Sequence, residues 1–124
     1  MKSPYKGLVR IFKAFGYSAA GFKAAFSSEA AFRQDVAVFV LGTAAAIYFP
    51  FVLLHKVLLI SSLLLILLME LTNTAIEYVV DRISPEYHDL SKKAKDTGSL
   101  LVLIAFINAV LLWGSAIYAL VQTH

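Results

Sequence analysis

The chain has 124 residues, 60% hydrophobic and 15% charged, with a formal net charge of +3. Its mean hydropathy of +0.76 leaves too little polar surface for a domain dispersed in water, and the length allows one domain, 1–124. The absence of cysteine excludes disulfide frameworks and thiolate metal sites.

Residues 1–35 predict an amphipathic surface helix. Leu8, Ile11, Phe12, Phe15, Phe22 and Phe26 fall within an arc of about 100° at 3.6 residues per turn, and Lys6, Arg10, Lys13 and Tyr17 lie opposite. Beside apolar spans, that pattern reads as a helix lying in the membrane interface; an amphipathic helix packed on a partner is the alternative. Residues 36–54, VAVFVLGTAAAIYFPFVLL, are uncharged and long enough to cross a hydrocarbon core of about 30 Å. The run begins near Val36 and ends at no small-residue cleavage site, so no secretory signal is expected. Pro50 falls near its far end, and His55 and Lys56 read as a very short polar connection.

Residues 57–80 predict the second span, interrupted by Glu70, Asn73 and Glu77. Residues 82–97, RISPEYHDLSKKAKDT, read as a polar loop in which Pro85 disfavours a helix. Residues 98–121 predict a third uncharged span, with Asn108, Trp113, Gly114 and Ser115 as its interruptions. The predicted fold class is thus all-α integral membrane, an interfacial helix followed by three transmembrane helices.

Charge placement orients the spans. Lys2, Lys6, Arg10, Lys13, Lys23 and Arg33 precede the first span; Arg82, Lys92, Lys93 and Lys95 share the 82–97 segment; Lys56 stands alone. Basic residues favour the cytoplasmic side, which places the N-terminus and 82–97 in the cytoplasm and the C-terminal VQTH outside.

A carboxylate within a spanning helix costs about 2.5–3.5 kcal/mol on insertion scales and is functional by default. Glu70 and Glu77 are seven residues apart, two turns, so they share a face with Asn73 and Asp81, and Thr74 lies beside it. Hydrogen bonding between helices would account for Asn73 alone. Two carboxylates with no Lys or Arg in the span are harder to read that way. Glu77 lies near the cytoplasmic surface and Glu70 about 10 Å deeper at 1.5 Å per residue. Depth therefore assigns a metal and phosphate site to Glu77 and a base for a membrane-tethered hydroxyl to Glu70. Lys92, Lys93, Lys95 and Asp96 stand where phosphate oxygens would arrive, though the lysines also suit a simple anchor. Glu29 taken by itself is an exposed helix-start residue.

No GxxxxGK(S/T) loop, HRD-type catalytic loop or GxSxG elbow occurs, which excludes a soluble kinase fold. His55, His88 and His124 have no metal-ligand spacing.

Four stretches, RIFKAFGYSAAGFKAAF (10–26), EAAFRQD (29–35), VLLISSLLLILLMELTNTAIEYVVDRI (57–83) and EYHDLSKKAKDTGSLLVLIA (86–105), resemble the prokaryotic diacylglycerol kinases of Gram-negative inner membranes. The E-x-x-N-x-x-x-E-x-x-x-D stripe with AKD before a third span carries the resemblance most specifically. It implies a homotrimer with active sites shared between protomers, Mg2+ as cofactor, ATP as co-substrate and a membrane lipid as acceptor, with no nucleic acid as partner. It further implies Glu70 as catalytic base and Glu29 and Glu77 as metal carboxylates. Nucleotide contacts would fall on Arg10, Tyr17, Glu29, Glu77, Glu86, His88, Lys95 and Asp96. Lipid contacts would fall on Arg10, Ser18, Arg33, Gln34, Glu70, Ser99 and Trp113. Asn73 matches a functionally important polar position. Asp35 stands where the family often has Glu, and the segment around Tyr48–Phe51 diverges.

The resemblance also implies phosphatidic acid as product and a place in phospholipid metabolism and lipid recycling. A related Gram-positive branch acts on undecaprenol; RQD and EYHDLS are closer to the diacylglycerol branch. A proton-coupled transporter subunit would also carry an intramembrane Glu, but would not explain a basic segment beside the shallower carboxylate. For a purely structural membrane protein the acidic stripe would be a needless cost.

Overall fold

The computed structural model of the protein describes residues 4–124, so Lys2 of the basic N-terminal group lies outside the described residues. Four helices follow one another: α1 (Gly7–Ser28), α2 (Ala30–Tyr48), α3 (Leu53–Ile83) and α4 (Asp89–Thr123). The last three are each long and apolar enough to cross a membrane.

The helix ends follow local chemistry. Between α1 and α2 the chain opens at Glu29, with φ −119° and ψ 109°, six residues before the boundary expected at 35. Ser27 turns its hydroxyl back on the Lys23 carbonyl, and Arg33 Nη1 donates to the carbonyls of Phe26 (2.7 Å) and Ser27 (3.2 Å). The terminal carbonyls of α1 are thereby satisfied without a further turn. α2 stops at Tyr48, ahead of Pro50, whose missing N–H and fixed φ end it.

Two expected connections change. His55 and Lys56 lie in the first turn of α3, and the link is 49–52. Lys56 Nζ reaches back to the carbonyls of Ala46 (3.0 Å), Ile47 (2.6 Å) and Phe49 (2.8 Å), so the residue read as part of the connection fastens the end of α2. The segment 82–97 is helical except for 84–88. Pro85 ends α3, and His88 Nδ1 then accepts from the Leu90 N–H (3.0 Å) to start α4. At 1.5 Å per residue the 35 residues of α4 extend about 52 Å, so its first turns continue beyond the apolar length needed for hydrocarbon.

α3 and α4 run antiparallel and form the main contact, with α2 against α3. On α4 the buried residues Gly98, Ala105, Ala109 and Ala116 and the half-buried Val102 and Leu112 repeat at four and three, a seam of mostly small side chains. Seams of this spacing let helices approach closely where lipid removes the hydrophobic drive to associate. The opposing seam of α3 runs through Leu59, Leu63, Ile66, Glu70, Asn73 and Glu77 at the same spacing. One end is apolar: Ala46, Phe51, Leu59 and Ala116 form one cluster, and Leu63, Ile66, Ala105 and Ala109 the next. Trp113 adjoins both and donates to Ser62 Oγ (3.2 Å). The acidic stripe is therefore the continuation of a packing seam, which buries Glu70, half-buries Asn73 and Glu77, and leaves Asp81 exposed at its end.

Candidate active site

Above Ile66 the seam turns polar. Glu70 is 7% exposed, Thr74 is buried beside it, and Asp35 of α2, 8% exposed, adjoins the Glu70 carboxyl. Glu29, at the opening between α1 and α2, and Glu77 are close enough to act electrostatically on each other and on Glu70. Four carboxylates from three positions of the chain thus share one face. Glu29 gains the partner across the fold that it lacks in the sequence, and it is half-buried rather than exposed.

The cations come from α4. Lys95 lies near Glu77 and pairs with Asp81 across the helix interface (2.7 Å). Lys92 pairs with Asp96 one turn on (2.6 Å). Both pairs are largely exposed, where ion pairs contribute little and exchange readily for another anion. Asp81, Glu86, His88, Lys95 and Asp96 line one open hollow of about 460 Å³ at the same end, together with Ser84, Tyr87 and Lys92. Tyr87 donates to Asp89 Oδ1 (2.9 Å), a bond that holds its proton and raises the phenol above its ordinary range. Lys92 and Lys95 bring to the hollow two cations of the kind that hold phosphate oxygens, beside the carboxylates Asp81, Glu86 and Asp96.

Asn73 Nδ2 donates to Glu77 Oε1 (3.3 Å) and so orients that carboxylate. The donor set at Glu29 and Glu77 is all oxygen, which suits a hard cation such as Mg2+. Among the described residues no group of three or more His, Asp or Glu forms a complete cage. A Mg2+ that keeps water and phosphate ligands needs only one or two carboxylates, so the pair fits it.

Other expected site residues fall elsewhere in the chain. Arg10, Tyr17 and Ser18 are exposed on α1, whose main packing is against α2 near their junction. There Phe22 meets Phe32 edge-on (5.4 Å), and Ser28 Oγ reaches the Tyr78 hydroxyl on α3 (2.7 Å). Gln34 and Ser99 are exposed. Arg33 is engaged with the end of α1, and Trp113 sits toward the apolar end, below Glu70 along the seam. Two residues that matter here carried little sequence signal. Asp35 showed only as a shorter carboxylate at the start of an apolar run. Gly98 looked like an ordinary span residue; that it faces Asn73 emerges only when the two seams are paired.

The sequence profile described as prokaryotic diacylglycerol kinase matches residues 16–117. The chain is similar to a diacylglycerol kinase of Escherichia coli (strain K12), 50% identical over 107 residues that cover 86% of this chain and 88% of the relative. A diacylglycerol kinase of Pseudomonas aeruginosa is 46% identical, covering 91% and 94%. One from Helicobacter pylori (strain 26695) is 42% identical, covering 93% and 90%.

Proposed function

The chain belongs to the prokaryotic diacylglycerol kinase family, and from that membership we propose that it transfers the γ-phosphate of ATP to the primary hydroxyl of 1,2-diacylglycerol, giving phosphatidic acid for phospholipid metabolism and lipid recycling. One observation carries the assignment of roles: Glu70 and Glu77 share one seam, the deeper beside Asp35 and the shallower near Lys95, which also lines the hollow.

ATP enters from the aqueous end. Lys95 exchanges Asp81 for phosphate oxygens; Glu86, His88 and Asp96 contact the nucleotide from the hollow. Glu29 and Glu77 would hold Mg2+, which supplies charge neutralisation on the phosphates when bound. Asn73 keeps Glu77 aimed. The lipid hydroxyl, tethered near the glycerol level by its acyl chains, reaches Glu70. Its oxygen forms the new P–O bond as the bond to the ADP oxygen breaks, and the hydroxyl proton passes to Glu70. Most of the acceleration in such transfers is positioning and electrostatics, which a layer of buried, mutually packed groups provides.

The protomer works as part of a homotrimer in the bacterial inner membrane, with its N-terminus cytoplasmic and C-terminus periplasmic. Glu29 and Glu77 are only half-buried in one protomer, and a neighbouring protomer supplies the rest of their cover. Arg10, Tyr17, Ser18, Gln34 and Ser99, exposed on one protomer, contact ligand in a site completed by a neighbour. The exposed apolar face of α1, with Leu8, Phe12 and Phe15, rests in the membrane interface. Purified protein given labelled ATP with diacylglycerol or undecaprenol tests the acceptor. Labelled phosphatidic acid is expected; a labelled polyprenyl phosphate, or no labelled lipid, contradicts the assignment.

A further inference from the structure

Gly98 is buried in the first part of α4, directly opposite Asn73. A Cβ built on Gly98 would overlap Asn73 Oδ1 and lie 3.2 Å from Asn73 Cγ, yet 3.6 Å from Asn73 Cα. The first contact is an overlap, the second is tight and the third is ordinary packing. A methyl group here would therefore force the amide side chain to shift while leaving the two helices at their present distance. The other end of the same amide is engaged, Asn73 Nδ2 donating one N–H to Glu77 Oε1.

We propose that Gly98 is a positioning residue for phosphoryl transfer: its missing side chain seats the Asn73 amide against α4, and that seat turns Nδ2 onto the carboxylate of Glu77. The inference rests on the reading of Glu77 as a metal carboxylate. It adds the residue that fixes the partner of that carboxylate, acting from a different helix and touching neither substrate nor metal. Groups that orient a ligating carboxylate characteristically change metal affinity by about 10–100-fold when removed.

The test compares Gly98→Ala, Asn73→Ala, the double variant and Glu77→Gln in the full-length protein. Binding of Mn2+, a paramagnetic substitute for Mg2+, is measured by electron paramagnetic resonance with ADP and without turnover. Gly98→Ala and Asn73→Ala should each weaken Mn2+ binding by about 10–100-fold, and the double variant should be no weaker than Asn73→Ala alone. Additive losses, or unchanged binding in folded Gly98→Ala, overturn the proposal while leaving the site reading intact. Unchanged binding in Glu77→Gln overturns the site reading and the proposal with it. Should Gly98→Ala fail to fold, the double variant decides. Recovery of a cooperative thermal transition, with Mn2+ binding equal to that of Asn73→Ala, upholds the collision with Asn73. Failure of both variants refutes it.

Discussion

The carboxyl groups of Asp35 on α2 and Glu70 on α3 adjoin in the buried layer, each less than a tenth exposed. Two acidic groups at such a place constrain one another, and Asp35 limits the positions open to Glu70. Asp35→Ala should lower kcat by up to about 100-fold, the scale of a small misplacement of a reacting group. KM for the nucleotide should stay near the parent value, because Asp35 adjoins Glu70 and not the hollow. Steady-state kinetics with ATP and lipid varied separately provide the check, and an effect confined to nucleotide KM would contradict it.

Lys95 stands between Asp81 and Glu77 at the mouth of the site. Lys95→Met should raise the nucleotide KM by about tenfold or more, and Lys95→Arg should restore part of the loss, since the charge returns with a different shape. Nucleotide titrations at low and high ionic strength check this; the parent should depend on salt more steeply than Lys95→Met.

At the opposite end, Lys56 fastens three carbonyls at the close of α2. Lys56→Met leaves those carbonyls without their charged donor and should reduce stability by about 1.5–3 kcal/mol, the scale of hydrogen bonds to charged groups. Thermal unfolding in detergent should show the loss, with turnover at low temperature unchanged because the site is at the other end of the bundle.

The three apolar helices were legible because a bilayer demands long uncharged runs, and Glu70, Asn73 and Glu77 were legible because they break one. What stayed hidden was pairing. Glu29 and Asp35 acquire meaning only when α2 lies on α3, and Gly98 only when two seams of matching period meet antiparallel. The helical state of residues 89–97 is hidden because polar residues near Pro85 read as loop. His88, an uncommon helix-capping residue, starts the helix instead. Lys56 was missed as a fastening because its three acceptors are main-chain atoms, which no sequence pattern displays.

Orientation is open to direct labelling, since the chain has no cysteine of its own. In intact cells, Thr123→Cys should react with a membrane-impermeant maleimide and Lys13→Cys should react only after permeabilisation. The opposite pattern would invert the topology and with it the side from which ATP arrives.

The proposed mechanism divides labour between two carboxylates on one seam, and a paired comparison of their variants separates the two roles. Mg2+-dependent nucleotide binding and lipid phosphorylation are measured on Glu70→Gln and Glu77→Gln. Glu70→Gln should bind nucleotide as the parent does and lose about 100- to 10,000-fold in turnover, the range for a general base. Glu77→Gln should lose Mg2+-dependent binding itself. Near-normal turnover in Glu70→Gln, or intact Mg2+-dependent binding in Glu77→Gln, would contradict the account.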